Sequence, residues 1–204
     1  LGGVTPEMAL GGGAGEKARS NLLATICSIG EAGIGVANLF TLIERREGDE
    51  EQWKCLVELY SDVARSAEEA GVRVGTHTHW LPRYILWNKA TFTRLLDAVG
   101  SESLGATYDP AISFLGGDDP YDVIRGYGRR VFFAHARDVK ENGHSWCEQW
   151  ESVRGRRYED AFCGEGIIDY PRVIGLLIEA GYEGVIMPEH QPRVEGEQHG
   201  GVSI

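Results

Sequence analysis

Four side chains able to bind a metal stand at matching places along the chain. His77 closes the run Val72-Arg73-Val74-Gly75-Thr76, and Asp109 closes Leu104-Gly105-Ala106-Thr107-Tyr108. His135 lies in Val131-Phe132-Phe133-Ala134-His135-Ala136-Arg137-Asp138-Val139, and Glu189 closes Gly184-Val185-Ile186-Met187-Pro188. A fifth run, Ile34-Gly35-Val36-Ala37, ends in the amide Asn38. Short apolar runs bounded by turn signals read as buried strands, so each strand delivers a ligand-type residue at its C-terminal end. Taken singly, such a residue is most simply a hydrogen-bonded core histidine or a loop cap. Four of them on successive strand ends read as one site. Two imidazoles and two carboxylates form a mixed nitrogen and oxygen shell. That shell suits Mn²⁺, Co²⁺, Fe²⁺ or Zn²⁺ and is too rich in nitrogen for Ca²⁺.

Other reactive groups gather around the four. Side chains alternate along a strand, so Phe133, His135 and Arg137 share one face. A guanidinium there offers a planar fork for a carboxylate or phosphate. As a purely structural group it would pair with an acid such as Glu165. His190 directly follows Glu189 and is a candidate general acid or base. His79 shares a face with His77 and is a candidate substrate contact. His144, Glu148 and Glu165 belong to a long polar segment, about Lys140 to Gly166, of the kind that serves as a lid or binding loop. Of these, Glu148 is taken as a substrate contact.

The elements that would carry these groups alternate between strand and helix. Ala18, Leu22, Leu23, Ile26 and Ile29 recur at helical spacing before Gly33. Trp53, Leu56, Val57, Tyr60, Val63, Ala64 and Ala67 form an amphipathic stripe closed by Gly71. Asn88 caps a helix with Phe92, Leu95, Leu96 and Val99 inward. A short helix opens at Asp119-Pro120 and runs to Arg130. Asp169 caps a last helix, with Pro171 in its first turn, that ends near Gly181. Residues 1–13 read as a loop or frayed start. Alternating strands and helices with hydrophobic strands imply a parallel sheet covered on both faces. Ligand groups at every strand end point to a (β/α)₈ barrel, whose site is assembled from those ends. Only five strands are legible, and a barrel typically needs about 250 residues. The expectation is therefore one partial barrel domain over residues 1–204, lacking its first units and its last helix. The alternative is a complete open five-stranded sheet.

Composition narrows the function. The formal net charge of −11 disfavours a phosphate-backbone partner, and with it a nuclease. No apolar run is long enough to span a membrane, and no signal segment opens the chain. Strand ends lack glycine-rich phosphate loops, which removes the motif for dinucleotide or ATP binding. Cys27, Cys55, Cys147 and Cys163 are dispersed, which fits free thiols in a reducing cytoplasm.

From Gly71 onward the chain resembles the xylose-isomerase-like barrel superfamily of sugar isomerases, epimerases and dehydratases. Within it, the likeness to mannonate dehydratase is greatest. Phe133-Ala-His-Ala-Arg-Asp-Val-Lys followed by Glu141-Asn-Gly resembles that family's strand and loop. Ser145-Trp-Cys-Glu148 and Ala180-Gly-Tyr with Met187-Pro-Glu-His resemble two further segments. The resemblance implies metal ligands at His77, Asp109, His135 and Glu189, a reactive histidine at His190 and the strand arginine at Arg137. Asp109 stands where that family has Cys, and Glu189 where it has Asp. The implied activity is metal-dependent dehydration of a sugar acid such as mannonate to a 2-keto-3-deoxy acid, with Mn²⁺ as the expected ion. The implied partner is a small sugar acid or sugar, and a homo-oligomer is the further expectation. A sugar isomerase or epimerase on the same metal is the rival, and a sugar-binding barrel that holds no metal is a third reading.

Overall fold

The computed structural model describes residues 3–10, 13–46, 50–142 and 150–189. In chain order the elements are β1 (Gly3–Val4), α1 (Pro6–Leu10), α2 (Gly13–Glu31), β2 (Val36–Thr41), α3 (Glu50–Ala70), β3 (Arg73–His77), α4 (Lys89–Val99), β4 (Leu104–Tyr108), α5 (Pro110–Leu115), α6 (Pro120–Tyr127), β5 (Val131–Ala136), β6 (Asp138–Glu141), β7 (Trp150–Glu151), β8 (Arg157–Ala161), α7 (Tyr170–Glu179) and β9 (Ile186–Pro188). A 3₁₀ turn, Gly128–Arg130, links α6 to β5.

Six strands form one parallel sheet in chain order, β1-β2-β3-β4-β5-β9. Among the described residues β1 and β9 are its edges, so the barrel is not closed. Helices cover the outer face. Thr41 of β2 and Thr76 of β3 both meet the hydroxyl of Tyr60 on α3, which burial pushes up to about 12. Because side chains alternate, the neighbour of Thr76, His77, points to the opposite, inner face.

Local chemistry sets the element ends. On α3 the buried Leu56, Leu59, Tyr60, Val63, Ala64 and Ala67 follow the helical period, and Gly71 closes the helix at φ 66°. Asn88 and Thr91 form a reciprocal capping box at the start of α4. Asp109, Asp119 and Asp169 each cap a helix with proline in its first turn. These caps place each helix start directly after the loop that leaves the sheet.

The structure departs from the sequence reading in five places. The opening residues are not a loop; β1 and α1 lie there, and Gly3 and Val4 pair with Phe40 and Thr41. Among the described residues the sheet has six strands rather than five. Asn38 sits in mid-strand rather than at a strand end, because β2 runs on to Thr41. Asp109 starts a helix, α5, that is absent from the sequence reading, although Asp109-Pro110 repeats the Asp119-Pro120 pattern. In the described part of the polar segment from Lys140 to Gly166, β6, β8 and β7 make an antiparallel ribbon where the sequence reading has no strand. Tyr158 of that ribbon packs with Ala111, Leu115 and Val139 in a second small core, flanked by Trp80 and Phe114.

Candidate metal centre

The strand ends converge as the alternation requires. His77 ends β3, His135 lies on β5, Asp109 follows β4 directly and Glu189 follows β9 directly. One ligand atom from each of these four residues lies within 4.8 Å of the others. His77 Nε2 stands 3.8 Å from Asp109 Oδ2 and 4.0 Å from Glu189 Oε2. His135 Nδ1 stands 3.7 Å from Asp109 Oδ2 and 2.6 Å from Glu189 Oε2. Ligands about 2.0–2.3 Å from one ion would stand about 3.3–3.8 Å apart on a tetrahedron, so the two spacings to Asp109 match a common centre and the 4.0 Å spacing lies slightly above it. The short fourth is the contact between His135 and Glu189.

Each side chain is oriented by a partner behind it. His77 Nδ1–H donates to the carbonyl of Thr78 at 2.6 Å, which leaves the Nε2 lone pair for the centre. Asp109 Oδ1 accepts the N–H of Ile112 at 2.9 Å as the cap of α5, which leaves Oδ2 for the centre. One residue thus starts a helix and faces the site.

Burial makes the arrangement costly unless something completes it. His77, Asp109 and His135 are at most 3% exposed. His77 Nε2, Asp109 Oδ2 and His135 Nδ1 are buried atoms with no hydrogen-bond partner, and so is His135 Nε2. The 2.6 Å contact of His135 Nδ1 with Glu189 is close but not directed as a hydrogen bond. Unpartnered buried polar atoms cost about 1–3 kcal/mol each, and a divalent cation at their common point would satisfy three of them at once. The donor set, two nitrogens and two carboxylate oxygens, fits such an ion.

Charge follows the same logic. Burial pushes the Asp109 carboxyl up, but His135, His77 and the Arg137 guanidinium outweigh it and hold it well below the usual carboxylate range. Burial likewise raises Glu189, and contact with His135 reverses the sign to a net lowering. Burial pulls His135 down, while the two carboxylates outweigh that and push it up to about 9.

The remaining candidates divide. Arg137 is 2% exposed and its Nε donates to Asp160 Oδ1 at 3.1 Å. The acid beside it is therefore Asp160 on β8, not Glu165, because the ribbon folds back over the strand end. His79 is buried, stacked on Trp80 and tilted against Tyr84, with ring centroids 4.1 and 3.8 Å away. Burial first, then the positive charges of Arg83, His77 and Arg137, lower it to about 4. Its Nδ1 accepts the Leu81 N–H at 3.4 Å, which places the proton of the neutral ring on Nε2. His190, Glu148 and His144 lie outside the described residues. Two contributors escaped the sequence reading. Asp160 sits in the polar string Arg157-Tyr-Glu-Asp-Ala, which carries no strand alternation. The Thr78 carbonyl is a backbone group and leaves no trace in sequence.

Comparison with known proteins follows the same lines. A curated mannonate dehydratase of Enterococcus faecalis is 33% identical over 135 residues, covering 60% of this chain and 34% of that protein. The chain spans between 34% and 48% of the curated relatives it matches. The crystal structure of mannonate dehydratase from Streptococcus suis serotype 2 superposes with a TM-score of 0.76 at 19% identity, over 96% of this chain and 67% of that one. D-psicose 3-epimerase from Clostridium cellulolyticum H10, solved with D-tagatose, gives a TM-score of 0.69 at 16% identity, over 96% and 65% of the two chains. A family profile described as xylose isomerase-like TIM barrel matches residues 10–201. With a six-stranded parallel sheet whose strand ends carry the four converging side chains, the chain belongs to the xylose isomerase-like TIM barrel family.

Proposed function

We propose that this protein is a metal-dependent carbohydrate lyase. It would dehydrate a sugar acid such as mannonate to a 2-keto-3-deoxy acid, with Mn²⁺ as the ion. The observation that carries the reading is the convergence of His77, Asp109, His135 and Glu189, with unpartnered buried atoms facing one point and the Arg137 guanidinium beside them. The ion would supply Lewis-acid polarisation of substrate oxygens. His77, Asp109, His135 and Glu189 would hold it.

The chain's own groups would do the rest. Arg137 would grip the substrate carboxylate. Its Nε is committed to Asp160, so the carboxylate would meet the edge formed by the two terminal nitrogens. His190, next to Glu189 in sequence, would take the proton α to that carboxylate. As that C–H bond breaks, the C–O bond on the neighbouring carbon breaks too, and the hydroxyl leaves as water with the proton that His190 returns. The resulting enol rearranges to the 2-keto acid. His79, with its proton on Nε2, would donate to a substrate hydroxyl, and Glu148 would contact the sugar.

A second reading is a sugar epimerase or isomerase on the same ion. One observation favours it: Arg137 already has a carboxylate partner in Asp160, as a structural arginine would. The test is to incubate protein loaded with Mn²⁺ with mannonate and related aldonates and to follow 2-keto-acid formation. Keto-acid release from an aldonate supports the lyase. Exchange of a ketose α-proton with solvent deuterium, with no keto acid from any aldonate, overturns it in favour of the epimerase.

A further inference from the structure

The ribbon β6-β8-β7 is fastened to the barrel at several points. Val153 N–H donates to the Leu115 carbonyl at 3.0 Å, Trp80 Nε1 to the Glu151 carbonyl at 3.0 Å and Arg154 Nη2 to the Gly117 carbonyl at 3.1 Å. Tyr158 meets Phe114 edge-on, with ring centroids 5.2 Å apart. Asp160 is two residues further along β8 and therefore shares the face of Tyr158 that is turned onto the barrel. There it accepts from Nε of the buried Arg137. Arg137 is also held from behind, since its carbonyl accepts the hydroxyl of Tyr170 at 2.8 Å. Because the guanidinium is planar and rigid, a bond to Nε also constrains where its two terminal nitrogens stand.

We propose that Asp160 is a positioning residue that sets the plane of the Arg137 guanidinium, and that the ribbon is thereby a fixed wall of the substrate site. This rests on the assignment of a substrate carboxylate to Arg137. In this role Asp160 acts through Arg137.

The test compares two replacements in the metal-loaded protein, each scored on material that binds metal as wild type does. Asp160→Asn keeps an oxygen acceptor at the same distance and loses the charge. Asp160→Glu keeps the charge and pushes the guanidinium away by one methylene. If Asp160 positions, Asp160→Glu raises KM for the sugar acid about tenfold or more while Asp160→Asn stays within about threefold, since small displacements of a clamp are costly. If Asp160 only balances charge, the order reverses, and that overturns the proposal. Equal KM values for wild type and Asp160→Glu also overturn it. The ¹⁵N resonance of Arg137 Nε–H, recorded with diamagnetic Zn²⁺ in place of paramagnetic Mn²⁺ and identified by its loss in Arg137→Lys, gives a reading independent of turnover. It should keep its position in Asp160→Asn and move in Asp160→Glu, and a resonance unmoved in Asp160→Glu overturns the proposal. If wild-type protein processes no sugar acid, the functional reading fails, while this resonance still judges the pairing.

Discussion

Thr107 Oγ1 donates to Asn38 Oδ1 at 2.7 Å, although Thr107 is on β4 and Asn38 on β2. The bond passes over β3, and it can do so because the residue of β3 in register with Asn38 is Gly75. A Cβ at Gly75 would stand 2.8 Å from Thr107 Oγ1 and 3.3 Å from the Ala106 carbonyl. The bridge crosses β3 one inward position below His77, so it ties β2 to β4 beneath the candidate metal centre.

Gly75→Ala should therefore cost more than its size implies. Forcing a methyl into a packed interior typically costs about 1–3 kcal/mol, and here it also displaces the bridge. The expected outcome is a lower urea midpoint together with weaker metal binding, because His77 is two residues further along the same strand. Equilibrium unfolding and a metal titration on the same samples check it. Unchanged metal affinity would detach the bridge from the site.

Asp138 gives a contrasting case. Its fully buried carboxylate accepts the N–H groups of Val139, Gly164, Gly166 and Ile168 at 2.9–3.1 Å. It pins the loop before α7 to the start of β6, and a Cβ at Gly166 would stand 2.1 Å from Asp138 Oδ1. Asp138→Asn replaces one acceptor oxygen by an NH₂ donor and orphans two N–H groups. The loss should be on the order of 3 kcal/mol, from about 1–3 kcal/mol for each unsatisfied donor. Metal stoichiometry should persist below the unfolding transition, since none of the four converging side chains is touched. Loss of metal from folded protein would contradict this.

How much of this was legible follows from what each residue obeys. The four ligand-type residues could be found because a buried parallel strand writes an apolar run that stops where the chain leaves the sheet, and the polar residue at that stop is conspicuous. The same rule misplaced Asn38, since Phe40 and Thr41 carry β2 past it without a stop signal. The ribbon was hidden for a different reason. In Arg157–Ala161 the buried residues Tyr158 and Ala161 are three apart, so no period of two shows. Its order comes from docking on α5, which is a tertiary contact. β1, two residues long, is too short to write any pattern at all.

Proton release should accompany metal binding. In the metal-free protein His135 is pushed up to about 9, above its ordinary 6.5. The contact of its imidazolium with Asp109 and Glu189 therefore stabilises the fold fully below about pH 6.5. That contribution is lost as pH rises through about 9. A metal ligand must be the neutral ring. The two carboxyls are lowered and already ionised. Binding near pH 7.5 should then release about one proton per ion from His135, and affinity should climb as pH rises toward 9. Calorimetry in buffers of different ionisation enthalpy measures this, and an apparent enthalpy independent of buffer would contradict it.

The last prediction separates holding the ion from acting on the substrate. His135→Ala removes a buried donor to the centre, so metal content should fall to a small fraction and the melting temperature should no longer rise with added Mn²⁺. Arg137→Lys leaves all four converging side chains in place. It keeps one positive charge but replaces a planar fork, anchored on Asp160 through Nε, by an ammonium that offers no second parallel bond. Its metal content should match wild type. Its efficiency on a sugar acid should fall by about 1.5–3 kcal/mol, the range for a hydrogen bond to a charged group. Turnover of a neutral ketose would hardly depend on it. Metal analysis and steady-state kinetics on the two variants give the answer together. A His135→Ala protein that keeps its metal would remove His135 from the shell. An Arg137→Lys protein with undiminished turnover of an aldonate would free the guanidinium from the carboxylate and leave it as the structural partner of Asp160.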